Sequence, residues 1–240
     1  AYLVRSLHDP NGKLVETLLA ADALRRAGAR TVSLIAPYLA YMRQDAVFRP
    51  GEPVSQRAIG DCLGRAFDAV LTVEAHLHRV ATLGEVIRRG RSLSAASAIA
   101  GWLGRRPETV VVGPDAESRP WIEAIARLAG TYAIVATKQR RGDRRVAVRI
   151  PRLPAAIRAV IVDDIASTGA TLAATARALR RAGAGIVDAV VVHPIFAPDA
   201  PRRIHAAGVR RIVSCDTIPH ATNAISVAPI LAGAIAPRKR

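Results

Sequence analysis

Ala159-Val160-Ile161-Val162-Asp163-Asp164-Ile165-Ala166-Ser167-Thr168-Gly169-Ala170-Thr171 is the stretch on which the reading of this sequence turns. Its apolar, β-branched start indicates a strand buried on both faces, the kind found in parallel sheets. Paired carboxylates end that run, and a turn of small residues then opens a helix. Backbone N–H groups at such a helix start, with the Ser167, Thr168 and Thr171 hydroxyls, suit a phosphate. Asp163 and Asp164 can accept hydrogen bonds from vicinal sugar hydroxyls. The combination describes a sugar-phosphate site. A capped helix after a strand would also explain the turn, but it leaves both carboxylates idle. The sequence contains no G-x-x-x-x-G-K-[ST], so the turn is not a P-loop.

Outward from this stretch, strand and helix patterns alternate. Leu14, Val15, Leu18 and Leu19 follow helical spacing, and Gly28 ends that segment. Thr31-Val32-Ser33-Leu34-Ile35 reads as a strand, Ser55 as the cap of a helix to about Ala66, and 69–73 as a buried strand. A helix over 94–103, a strand over 109–112 and a helix with Pro120 in its first turn follow. Further strands are expected at 132–136, 159–162, 186–192 and 211–213. This order predicts an α/β fold of two halves, with mainly parallel sheets flanked by helices. The halves are residues 1–90 and 91–214, with 215–240 returning to the first. One segment breaks the rhythm: Lys138-Gln139-Arg140-Arg141-Gly142-Asp143-Arg144-Arg145, followed by alternating Val146, Val148 and Ile150. A basic, glycine-containing segment between strands is a candidate flap, at 138–145, over an anionic ligand.

Composition narrows the classes. The 240 residues are 50% hydrophobic, enough for a sizeable core, and no apolar run is long enough for a transmembrane helix. Cys62 and Cys215 form neither a zinc spacing nor a disulfide framework, which fits a reduced cytoplasm. A net charge of +16 favours anionic partners. Aromatic residues are only 4% and the arginines are dispersed, so stacking-based nucleic-acid binding is not expected. A solvated, arginine-rich surface is the competing reading of that charge.

The 163–171 stretch resembles the 5-phosphoribosyl-1-pyrophosphate (PRPP) motif of the type I phosphoribosyltransferase fold. Other stretches narrow the resemblance to the ribose-phosphate pyrophosphokinase (PRPP synthetase) family. They are Pro37-Tyr38-Leu39-Ala40-Tyr41-Met42-Arg43-Gln44-Asp45 with Pro50-Gly51-Glu52-Pro53, Thr72-Val73-Glu74-Ala75-His76, and Val112-Gly113-Pro114-Asp115. Asp216-Thr217-Ile218-Pro219 and Asn223-Ala224-Ile225 complete the ordered set, which spans essentially the whole chain.

The resemblance implies roles. Arg43, Gln44 and His76 match ATP-binding positions, and His76 and Asp115 match positions associated with Mg2+. Lys138 and Arg140 match the basic pair of the catalytic flap. Arg140, Asp163, Asp164, Ser167, Thr168, Gly169, Ala170 and Thr171 match the ribose-5-phosphate site. The implied activity is ribose-phosphate diphosphokinase, with MgATP and ribose 5-phosphate as substrates and a cytoplasmic homo-oligomer as the working form. Departures are also visible: Glu74 stands for the usual Asp, Ala46 for a common basic residue, and Ser167 for an acidic one. The chain is expected to start after the family's Phe-x-Asp-Gly-Glu-like turn, which contacts adenine from a neighbouring subunit. A phosphoribosyltransferase and a non-catalytic regulatory relative are the alternative readings.

Overall fold

The computed structural model describes residues 1–77, 79–106, 108–141, 145–151, 153 and 158–236, and the side chains of all these except 138–141 and 145–147. It divides into two compact units, Ala1–Ser94 with Val227–Arg240, and Ala95–Ser226. The divisions lie one short strand beyond the sequence-based boundaries. Gly90–Leu93 pairs with the first unit's sheet and Asn223–Ile225 with the second's, and hydrogen bonding rather than composition sets the limits.

The first unit is built from β1 (Tyr2–Val4), α1 (Pro10–Arg26), β2 (Ser33–Ala36), α2 (Ser55–Ala66), β3 (Ala69–Val73) and β4 (Gly90–Leu93). Its parallel sheet has the order β1-β2-β3-β4, each strand beside the one before it. The apolar runs of β2 and β3 fit burial on both faces: Leu34, Val70 and Val73 are inaccessible to solvent. Ser55 does not cap α2 as expected. It is the first helical residue, and its hydroxyl donates to the Tyr41 carbonyl 3.1 Å away.

The second unit comprises α3 (Ala96–Leu103), β5 (Thr109–Gly113), α4 (Arg119–Ala129), β6 (Tyr132–Val135), β7 (Thr137–Arg141), β8 (Arg145–Arg149), β9 (Arg158–Ala166), α5 (Ala170–Arg181), β10 (Ile186–Pro194), α6 (Ala200–Ala206), β11 (Arg211–Cys215) and β12 (Asn223–Ile225). After it, α7 (Ala228–Ile235) belongs to the first unit. The six-stranded sheet runs β12-β11-β10-β9-β5-β6, all neighbours parallel. Burial of Val110, Ile161, Leu172, Leu179, Val191 and Ile204 joins this sheet to α5 and α6. Each such side chain contributes about 1.5–3 kcal/mol. β7 and β8 pair antiparallel, with Lys138 opposite Val148 and Arg140 opposite Val146. Residues 142–144 of the expected flap, and the side chains of Lys138 and Arg140, lie outside the described residues.

At the amino ends of the central strands, Asp188 is completely buried. It accepts from Arg158 Nε at 2.9 Å and from Arg210 Nη2 at 2.9 Å. Trp102 packs its ring beneath the guanidiniums of Arg158 and Arg211, at 5.8 and 5.6 Å. Among the described residues, no helix is long and apolar enough to cross a membrane.

Candidate active site

In open parallel sheets, ligands bind beyond the carboxyl ends of the strands, at the point where strand order reverses. In the second unit that point lies between β5 and β9. From β5 the chain moves outward to β6, and from β9 it moves the other way through β10, β11 and β12. The two loops leaving this point carry Asp115 and residues 167–169. Topology alone therefore selects two of the segments singled out by sequence.

β9 runs through Ala166, further than its apolar run predicts, so Asp163 and Asp164 belong to the closing part of the strand rather than to the turn. Each carboxylate accepts from the following amide: Asp163 Oδ1 from Asp164 N–H at 3.1 Å, and Asp164 Oδ1 from Ile165 N–H at 2.7 Å. Burial, foremost, and then the charges of Asp164 and Asp115 hold the Asp163 carboxyl well above the ordinary carboxylate range. Asp115 also shapes its own loop, accepting from Ser118 N–H at 3.3 Å while Ser118 Oγ donates to its carbonyl at 2.6 Å. Gly113 leaves room for this turn, since a Cβ there would lie 2.9 Å from Ile122 Cγ1.

Gly169 adopts a left-handed φ of +70° and opens α5. A Cβ at this position would meet Ile204 Cγ1 at 2.8 Å, so both conformation and space require glycine. Ser167 is half-buried, whereas Thr168, Ala170 and Thr171 are exposed at the mouth of the turn.

In the first unit the corresponding loops are 37–54, after β2, and 74–82, after β3. Arg43 and Gln44 line a surface cavity of about 450 Å3 with Phe48, Arg49 and Glu52. Phe48 is 63% exposed there. The loop is held from beneath by α2: buried Gln56 donates from Nε2 to Met42 O at 3.2 Å and from its backbone N–H to Gln44 O at 3.2 Å. Glu52 accepts from Phe48 N–H, Arg49 N–H and Gln44 Nε2 at 3.3, 3.2 and 3.4 Å. Asp45, almost buried, pairs with Arg79 Nε at 3.4 Å and so ties this loop to the one carrying His76.

Tyr41 and Glu74 have φ of +67° and +38°, a region unfavourable for residues with a Cβ. Each costs on the order of 1–3 kcal/mol and persists only where surroundings enforce it. For Glu74 these include its amide bond to Leu93 O at 2.9 Å and acceptance from Ser94 Oγ at 2.7 Å.

The expected residues are therefore distributed by unit. Asp115, Asp163, Asp164 and 167–171 lie in the second, and Arg43, Gln44 and half-buried His76 in the first. His78 lies outside the described residues. Among the described residues, no three His, Cys, Asp or Glu side chains are arranged to hold a metal ion by themselves. Sequence reasoning passed over Phe48, although an exposed aromatic in a chain this poor in them was a usable signal. It also missed Gln56, the Asp45–Arg79 pair and α6, whose roles depend on distant groups.

Comparison with known proteins assigns the chain. A family model for the N-terminal domain of ribose phosphate pyrophosphokinase matches residues 1–66, and one for the phosphoribosyl transferase domain matches 88–229. A ribose-phosphate pyrophosphokinase of Methanopyrus kandleri is 36% identical over 97% of this chain and 81% of its own length. One from Aeropyrum pernix is 35% identical over 91% of this chain and 72% of its own. The crystal structure of phosphoribosylpyrophosphate synthetase from Mycobacterium smegmatis superposes with a TM-score of 0.83 at 27% identity, covering 98% of this chain and 80% of that one. The chain is thus an enzyme of the ribose-phosphate pyrophosphokinase family.

Proposed function

We propose that this enzyme transfers the β,γ-pyrophosphoryl group of ATP to the 1-hydroxyl of ribose 5-phosphate, giving PRPP and AMP. The observation that carries the reading is the amide- and hydroxyl-lined turn at 167–169 closely following Asp163 and Asp164 at the sheet's switch point. The turn takes the 5-phosphate, and the two carboxylates accept from the ribose hydroxyls. In the first unit, Arg43 and Gln44 hold the nucleotide, and the exposed Phe48 ring offers a stacking face for its base. The sugar's 1-oxygen forms a bond to the β-phosphorus and gives up its proton to water, while the bond from that phosphorus to the α,β-bridging oxygen breaks and AMP leaves with that electron pair. Such transfer needs alignment and charge neutralisation more than covalent help. Lys138 and Arg140 are assigned the developing charge on the transferred group.

The carboxylates here fit Mg2+: burial first, and then the charges of Asp164 and Asp115, raise the Asp163 carboxyl, and a cation would relieve the repulsive part. Hard oxygen donors suit this ion, which keeps waters and phosphate oxygens as its remaining ligands. When bound, Mg2+ supplies neutralisation of polyphosphate charge. Asp115 is the assigned ligand. His76, a poor partner for so hard a cation, acts through water or on a phosphate. A cytoplasmic homo-oligomer belongs to the same reading.

Incubation with MgATP and ribose 5-phosphate, followed by 31P NMR, should show PRPP and AMP appearing together. Sugar-phosphate binding without product would instead indicate a non-catalytic relative, and failure to bind would remove the sugar-phosphate assignment.

A further inference from the structure

We infer that Arg203, on α6, is a positioning residue that aims the backbone amides of the 167–169 turn at the phosphate. The inference rests on the reading of that turn as the sugar-phosphate site. Two consecutive carbonyls of the turn are held from one side. Ser167 O accepts from Ala197 N–H at 3.0 Å, and Thr168 O accepts from Arg203 Nη1 at 2.9 Å. Both donors belong to the β10–α6 connection and α6 itself. In a trans peptide the C=O and the following N–H point in opposite directions. Holding these two oxygens toward α6 therefore turns the Thr168 and Gly169 amides away from it, into the mouth of the turn.

Neither amide donates to an acceptor among the described residues. The turn is also pressed against α6, because Gly169 sits too close to Ile204 for a Cβ. A flip of the Thr168–Gly169 peptide would replace an N–H donor with a carbonyl oxygen facing an anion. Arg203 opposes that flip with a charge-assisted bond. Its role is geometric, since its guanidinium engages the carbonyl rather than the ligand's side of the turn.

The test compares Arg203→Ala, Arg203→Lys and the parent, by calorimetry with ribose 5-phosphate and by steady-state kinetics. The alanine variant should bind the sugar phosphate about tenfold more weakly, the low end for a lost charged hydrogen bond because Arg203 is exposed. KM for ribose 5-phosphate should rise by the same factor, with kcat within about twofold and the KM for ATP unchanged. Arg203→Lys should keep part of the affinity that the alanine variant loses. The Ala/parent ratio should persist at about 0.5 M salt, because a local bond is screened far less than long-range attraction. Equal affinities in parent and alanine variant would overturn the inference while leaving the proposed function intact. A ratio abolished by salt would do the same, reducing Arg203 to a distant charge. If the parent itself binds no sugar phosphate, the proposed function fails instead. The inference is then judged on the unliganded protein, where Arg203→Ala should shift the Thr168 carbonyl 13C and broaden the Gly169 amide by exchange. Unaltered signals would sink it.

Discussion

Unit two carries its proposed sugar-phosphate turn on residues 167–169 between β9 and α5, whereas unit one carries its proposed nucleotide loop on residues 37–54 between β2 and α2. The short turn has little freedom, because a central strand delivers it and a helix begins at once. Its position follows from the switch in strand order. The first sheet, ordered β1-β2-β3-β4, has no such switch, and its long loop needs separate support. That support comes from Ser55, Gln56, Glu52 and the Asp45–Arg79 pair, which fasten the loop's backbone at several points or tie it to a neighbouring loop. The difference teaches where sensitivity should lie. In unit two it should concentrate in groups that touch the ligand or close the sheet. In unit one it should spread over residues that touch only the loop.

The largest expected effects fall in unit two. Lys138→Ala should lower kcat by about 10²–10³, the usual loss for one preorganised electrostatic stabiliser, with little change in ribose 5-phosphate affinity. Single-turnover kinetics would detect it, and activity within a few-fold of the parent would reduce the flap to a solvated loop. Next comes Asp188→Asn. The substitution leaves Arg158, whose side chain is only 11% exposed, without its anionic partner, at a cost of about 3 kcal/mol. Both tryptophans, Trp102 and Trp121, lie in unit two, so fluorescence-detected unfolding reports on that unit alone. Its midpoint should fall by several degrees, whereas nucleotide binding at low temperature should stay as in the parent. An unchanged midpoint would mean that water, not Asp188, satisfies Arg158.

Legibility in the sequence followed the same division. Contiguous features read well. The apolar strands 69–73, 109–112 and 186–192 and the 163–171 stretch were all recognisable because neighbours in sequence are neighbours in space. β4, reading Gly-Arg-Ser-Leu, carried no strand pattern, since it is an edge strand with two exposed polar residues. α6 was hidden by Pro201, Arg202 and Arg203, although proline in a first turn is compatible with a helix. Ser55 looked like a cap because serine usually is one, and tertiary structure gave its hydroxyl to Tyr41 instead. The supports of the first loop were illegible for one physical reason. A side chain that binds the carbonyl of a remote residue leaves no periodicity or spacing to read.

Asp163→Asn separates binding from stability and sharpens the contrast further. Ribose 5-phosphate affinity should fall about ten- to a hundredfold, because an amide accepts less strongly than a carboxylate. Unit two should nevertheless become more stable. The folded protein raises the Asp163 carboxyl, so ionising it costs stability. That cost is absent below the ordinary carboxylate range, sets in as pH climbs from about 4 toward the raised folded value, and is complete above it. The variant lacks the cost, so its advantage in melting temperature should grow with pH across that window. Sugar-phosphate affinity of the parent should strengthen over the same window as Asp163 ionises, and the variant should lose that dependence. A melting difference independent of pH would show that neither burial nor the charges of Asp164 and Asp115 raise the Asp163 carboxyl in the fold.

The smallest expected effect belongs to unit one, at Glu52→Gln. The Glu52 carboxylate receives three bonds between 3.2 and 3.4 Å, from Gln44 Nε2 and the Phe48 and Arg49 amides. At such lengths each is weak, and their joint work is to fix one loop shape rather than to stabilise the fold. The carboxylate also fixes which end of the Gln44 amide it meets: only the NH2 can donate to it, so the carbonyl end is left for the cavity. A glutamine at 52 can present either a donor or an acceptor, so that orientation is no longer enforced. The KM for ATP should rise about three- to tenfold, with an unchanged melting midpoint and unchanged ribose 5-phosphate affinity. Glu52→Ala, which removes all three acceptances, should lie at or above the upper end of that range. Equal losses for ATP and ribose 5-phosphate would break the comparison, because a residue of the long loop would then be governing the short turn as well.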